Sequence, residues 1–273
     1  MLYKGEKMKK RYDAYANYYY KYSNKKKTKT KVLSILFCLI TILIVVFFSI
    51  SFSKFLTISK IVNVNSNYIN ESKSLYALSL YSSTNKTDAN NYSTDVKKQG
   101  GAGFVYYKDS TFFILSSIYK TNSEATTVKN NLAKNNIDSE IIKIELPTLN
   151  IKASLTTKSG KILSEGITLF YNSYSSLYKI SLNYDTQNID IIQAKHQIAS
   201  LLDENTKVIT NFNKYFNQST NVYVLYIKIY LNKLNNVVTQ LTTIDESENF
   251  SSRIKETYCE VVNEYLNLYG EML

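Results

Sequence analysis

The sequence predicts an α+β chain in three parts: one transmembrane helix, then a small βαββαβ domain, then an antiparallel helical bundle. Three observations predict it. Val32 to Ser53 runs for 22 residues without a charge, residues 75–146 repeat a pattern at a spacing of 36, and four heptad-like runs follow Pro147, the only proline. At 273 residues the chain is long enough for more than one folded unit.

The net charge of +11 is unevenly placed. Residues 1–31 hold eleven Lys and Arg against Glu6 and Asp13, Lys54 and Lys60 add two, and the remainder carries 20 basic and 20 acidic residues. A nucleic-acid binder carries its positive charge on the folded part, so no nucleic-acid partner is expected. The charge sits instead on a tail beside an apolar run. A helix over Val32–Ser53 would be about 33 Å long, enough for a hydrocarbon core of ~30 Å. The basic flank places the N-terminus in the cytoplasm and the C-terminal region outside it, as a single-pass protein of the cell membrane. A cleavable signal peptide ending at Ser51-Phe52-Ser53 is the competing reading; its apolar core would normally run only ~7–15 residues. The tail could also hold anionic head groups, although orientation alone accounts for it. Cys38 lies in the apolar run and Cys259 near the C-terminus, so no disulfide framework is expected outside the membrane.

Residues 54–74 read as a polar stalk. From there to Leu146 the order is strand, helix, strand, strand, helix, strand. Leu75–Tyr81 alternates as a strand does, and Ala89, Tyr92 and Val96 follow at i, i+3, i+7. That helix stops at Gly100-Gly101-Ala102-Gly103, because glycine reaches the left-handed conformation a helix end needs. Phe104–Tyr107, a turn at Lys108-Asp109-Ser110 and Thr111–Tyr119 make a hairpin. Asn122-Ser123 caps a second helix carrying Ala125, Val128 and Leu132, Asn135-Asn136 ends it, and Ile137–Leu146 is the last strand. Shifted by 36, the first stripe falls on the second, Leu78 on Ile114 and Gly100 on Asn136. Two related βαβ halves predict a small sheet with both helices on one face and the other face open.

Tyr76-Ala77-Leu78-Ser79-Leu80-Tyr81 and Phe113-Ile114-Leu115-Ser116-Ser117-Ile118-Tyr119, each leading into a helix alanine, resemble the SPOR domain. The resemblance covers about 72 of the 273 residues and rests on order and spacing. Where that family often has Gln and then Gly, this chain has Ser79 and Tyr81, and in its second half Leu115 and Ser117. The resemblance implies a ferredoxin-like βαββαβ module that binds peptidoglycan at division and spore septa, its open sheet face lying along glycan strands. Sugar rings stack on aromatic planes and hydrogen-bond to small polar groups, which makes Ser79, Tyr81, Tyr106, Tyr107 and Ser117 the candidate glycan-binding residues.

Residues 148–273 change to helical periodicity. The runs are Leu163, Ile167, Phe170, Tyr174, Leu177, Ser181, Tyr184; then Ile191, Ala194, Ile198, Leu201, Asn205, Val208, Phe212; then Val224, Ile227, Leu231, Leu234, Val238, Leu241; and Ile254, Tyr258, Val261, Tyr265, Leu268, Met272. Short polar breaks between four such helices favour an up-down bundle. It could serve as a spacer or as a docking surface for another envelope protein.

No enzyme signature is present. His196 stands alone, no pair of carboxylates is singled out for glycoside hydrolysis, and Gly100–Gly103 is not followed by a phosphate-binding Lys-Ser/Thr. No catalytic residue, metal or cofactor is expected. The expected function is therefore that of a membrane-anchored, non-catalytic peptidoglycan-binding protein at septa or in sporulation. The alternative is an envelope interaction or sensory adaptor working through its bundle.

Overall fold

The computed structural model of the chain describes residues 67–68, 72–149, 151–152, 157–244 and 249–273. The basic tail and the apolar run Val32–Ser53 lie outside the described residues, as does most of the expected stalk. Two stalk pieces are strand: β1 (Asn67–Tyr68) pairs antiparallel with a second short strand, Ile151–Lys152, and Lys73 opens β2 (Lys73–Ser83).

After β2 come α1 (Lys86–Lys98), β3 (Phe104–Lys108), β4 (Thr111–Tyr119), α2 (Asn122–Ala133), β5 (Glu140–Leu146) and β6, the Ile151–Lys152 strand. The main sheet has the order β3-β4-β2-β5 with every neighbouring pair antiparallel. Local chemistry explains the elements. Asn85 caps α1 by accepting from the amides of Thr87 and Asp88, with Lys97 and Lys98 in the last turn complementing the helix dipole. The second helix starts one residue earlier than the sequence suggests, at a reciprocal capping box of Thr121 and Glu124. Both helices are followed by a left-handed residue at the same place in the repeat, Gly100 (φ 85°) and Asn136 (φ 58°). Asp109 and Ser110 both have positive φ, as a two-residue hairpin turn between right-twisted strands requires.

Four helices complete the fold: α3 (Thr157–Asp185), α4 (Ile191–Tyr215), α5 (Val222–Gln240) and α6 (Phe250–Gly270), with a 3₁₀ turn at Leu241–Thr243. Helix α3 packs on α4 and α6, and α5 closes the square against the same two, in up-down order. Most heptad positions are its interior: Leu163, Ile167, Phe170, Tyr174, Leu177, Ser181, Ala194, Ile198, Asn205, Phe212, Ile227, Leu231, Leu234, Val238, Ile254, Tyr258 and Val261 are all buried, while Tyr184, Ile191, Val208 and Met272 are half-buried.

One expectation is corrected. A spanning helix was expected, but the described residues form a four-stranded sheet with six helices, none of them long and apolar enough to cross a membrane. Even the longest of these helices, α3 with 29 residues, carries Lys158, Lys161, Glu165, Lys179 and Asp185 beside its buried apolar stripe, so it is amphipathic and not apolar all round.

Sheet and bundle are not separate bodies. Residues 63–273 group as one compact unit. A single apolar cluster runs from Leu75, Ala77, Leu115, Ile142 and Ile144 in the sheet through Leu149 and Ile151 into all four bundle helices. Polar groups tie the same seam. Lys255 Nζ and Ser252 Oγ in α6 donate to the carbonyls of Gly100 (2.8 Å) and Gly101 (2.7 Å), and Asn249 Nδ2 donates to that of Lys97 (3.2 Å). Helix α6 and its N-cap Asn249 thus bond carbonyls at the end of α1 and in the glycine loop that follows it. Lys97 also pairs with Glu256, which Arg253 braces at 2.6 Å.

Inside the bundle, Asn205 of α4 and Ser173 of α3 are buried and bonded to each other, Ser173 Oγ to Oδ1 at 3.2 Å and Nδ2 to Oγ at 3.0 Å. Asn205→Ala strands the Ser173 hydroxyl and is expected to lower stability by about 2 kcal/mol in urea unfolding. The double replacement Asn205→Leu with Ser173→Ala is expected to restore it while broadening the amide NMR spectrum, because an apolar seam no longer selects one register.

Candidate functional site

The five residues singled out from the sequence go to different places. Ser79 is buried at a break in the β2–β4 register, where its hydroxyl donates to the carbonyls of Tyr81 (2.8 Å) and Ile114 (3.3 Å). Ser117 is buried with its hydroxyl 2.6 Å from that of Tyr258 in α6. Tyr106 packs half-buried against the large core, and burial raises its pKa. Only Tyr81 and Tyr107 come together at the surface, and they bring two residues that sequence reasoning did not select.

Tyr81 stacks on Tyr92 of α1, ring centroids 3.4 Å apart and planes 24° apart. Tyr107 contacts Phe112 at 4.7 Å and 40°. Strand register brings the two pairs together: Phe112 faces Tyr107 on one side and Ser83 on the other, while Tyr81 faces Ile114, one pleat away. Beneath them lies a small core of Ala89, Val96 and Ile114, against which Leu80, Tyr81, Val105 and Phe112 pack. That core fixes Tyr81 and Phe112, while Tyr107 (59% exposed) and Tyr92 (41%) face water. The Tyr81 pKa is raised, first by a hydrogen bond with Tyr92.

This corner offers flat apolar rings and phenolic hydroxyls that both donate and accept. It offers no nucleophile with a base beside it. Tyr92 carries a signal the helical stripe obscured: it stands at the i+3 position between Ala89 and Val96, yet those two are buried and it is not. Phe112 sits next to the hairpin turn, where alternation alone does not tell an inward from an outward ring.

Other places carry less. No group of His, Cys, Asp and Glu among the described residues could hold a metal. A pocket bounded by Lys73, Leu146, Phe170, Tyr171, Tyr174 and Tyr265 has about 10 Å³ of space, room for a water at most. Cys259 is buried, and desolvation raises its pKa well above the ordinary range.

Lys120, at the end of β4, is held at 2.6 Å from Ser175 Oγ, and burial lowers its pKa to about 8. The unfolded chain keeps that proton to ~10.4, so it binds more protons than the folded one between those values and stability rises with pH there. Tyrosines act in the opposite sense: burial raises the Tyr119 pKa to about 12, a contribution present below ~10 and lost as pH climbs through 12. Chemical denaturation at a series of pH values is expected to show stability climbing from about pH 8, peaking near 10 and then falling. Lys120→Met is expected to abolish the climb and keep the fall.

No protein-family model, no curated protein and no solved structure matches this chain.

Proposed function

We propose that the protein is a non-catalytic glycan-binding component of the cell envelope, with peptidoglycan strands as its ligand. The observation that carries this is the pair of ring contacts, Tyr81–Tyr92 and Tyr107–Phe112, held on a rigid corner with two of the rings open to water. Pyranose rings present apolar C–H faces rimmed by hydroxyls, and such a corner matches both features. The βαββαβ order and the resemblance of its strands to the SPOR family support the same ligand class. The surface used differs from the one that resemblance implies, since Ser79 and Ser117 turn their hydroxyls inward.

The test is retention on purified sacculi, intact and stripped of stem peptides by an amidase. Preferential retention on stripped material is expected. Tyr92→Ala with Tyr107→Ala, taken at about 1 kcal/mol per lost ring, should weaken it roughly 30-fold. Undiminished retention of the double variant would remove this corner as the site, and no retention of the parent would remove the glycan.

A further inference from the structure

Residues 205–244 contain four Lys and no Asp or Glu. Within them α5 is apolar on two sides. Val224, Ile227, Leu231, Leu234 and Val238 face the bundle core and are buried, as that side must be. On the other side Val222 (50% exposed), Leu225 (41%) and Ile229 (50%) recur at i, i+3, i+7 on the first two turns. Tyr223 and Tyr226 pack partly buried beside them. A helix of a bundle normally turns charge toward water along that line.

The bundle's topology gathers cations at this end. The up-down order puts the start of α3, the end of α4 and the start of α5 together, and Lys158 Nζ of α3 lies 5.6 Å from the Tyr215 ring of α4. Lys214 stands in the last turn of α4 and Lys228 inside the stripe's own second turn. The same order brings the end of α6, with Glu271, to this end, so three Lys there stand against one acid, and two acids further along the neighbouring helices are paired. Glu264 of α6 lies 3.6 Å from Lys233, and Asp203 of α4 is bound by Lys207 at 2.6 Å.

We propose that this face docks the protein on the surface of an anionic lipid bilayer. Val222, Leu225 and Ile229 enter the region of the acyl boundary, the tyrosines sit at headgroup depth, and Lys158, Lys214 and Lys228 reach phosphates with their ammonium groups. Charge is what favours lipid over a protein partner or a second copy of this chain. A second copy would set the same cations against each other, whereas an anionic surface meets each with a favourable contact.

The full chain is labelled with a fluorophore at Asn232→Cys on α5 in a Cys38→Ser background. It is then mixed with phosphatidylglycerol vesicles carrying a nitroxide on some headgroups. Quenching at position 232 is expected, with little from a label at His196→Cys near the far end of α4. Quenching should fall at least ~10-fold in phosphatidylcholine vesicles, or at 0.5 M salt, because surface charge attraction is screened. Leu225→Glu with Ile229→Glu should abolish it. These positions are exposed, so the fold survives, and unchanged circular dichroism is the check. Equal quenching at 232 and 196, or quenching that survives the double replacement, overturns the proposal. So does lipid-independent self-association that the same replacement dissolves, since a second copy would then be the occupant.

Discussion

Tyr258→Ala is expected to destabilise the protein by about 4 kcal/mol, and sheet and bundle are expected to lose structure together. The ring is fully buried and lies edge-on to Tyr174 at 5.9 Å and to Tyr178 at 6.1 Å, while its hydroxyl meets that of Ser117. Truncation removes a large apolar volume, breaks ring contacts on the bundle side and leaves a sheet hydroxyl buried without its partner. Nearby, Tyr174 Oη donates to the Ile118 carbonyl at 3.2 Å, so two bundle tyrosines grip the same strand. Tyr258→Phe keeps the volume and loses only the hydroxyl pair, and should cost about 1–2 kcal/mol. The measurement is urea unfolding followed in parallel by far-ultraviolet dichroism and by NMR signals assigned to β4. Coincident curves shifted to lower urea are expected. Two separated transitions in the parent protein would show that the shared core does not couple the layers.

Gly103→Ala is expected to cost about 3 kcal/mol. Gly103 has φ +57°, where a side chain is strained whatever space surrounds it. Space is also lacking: an added methyl would collide with the backbone carbonyl of Ser93 and the Cγ of Lys97. The approach exists because the Ser93 hydroxyl donates to the Gly103 carbonyl, clamping the end of α1 onto the start of β3. A backbone carbonyl cannot step aside as a side chain can, so the loop itself must move. Gly270→Ala is the control. Nothing lies within 4 Å of its added methyl, and a neutral or slightly stabilising change is expected there. Thermal unfolding of both variants checks the pair, and a Gly103→Ala loss under 1 kcal/mol would contradict the steric argument.

Much of the chain's local structure is legible in its residues. The left-handed stops at Gly100 and Asn136 and the hairpin at Asp109-Ser110 act within a few residues of themselves, whereas the second helix is capped by Thr121, one residue before the Asn122-Ser123 pair that the sequence suggests. The heptad runs are legible for the same reason: a period of 3.5 written along one segment selects one face of one helix, and Phe170, Ile198, Leu231 and Ile254 all lie on such faces and are buried.

Which surface remained available to a ligand was settled only by long-range packing. The sequence pattern of 75–146 describes a sheet with one uncovered side. It contains nothing to say that α6, more than 130 residues downstream, would meet Ser117 or bind the carbonyls of Gly100 and Gly101. Burial of Ser79 follows from a register break between β2 and β4, a property of two strands together and of neither alone. The stacking of Tyr92 on Tyr81 likewise depends on how α1 lies across the sheet. Alternation and caps are short-range terms, and the residues themselves determined the elements through them. Exposure is a sum over everything that packs against a residue, so the tertiary structure alone decided that Tyr92 and Tyr107 face water while Ser79 and Ser117 do not.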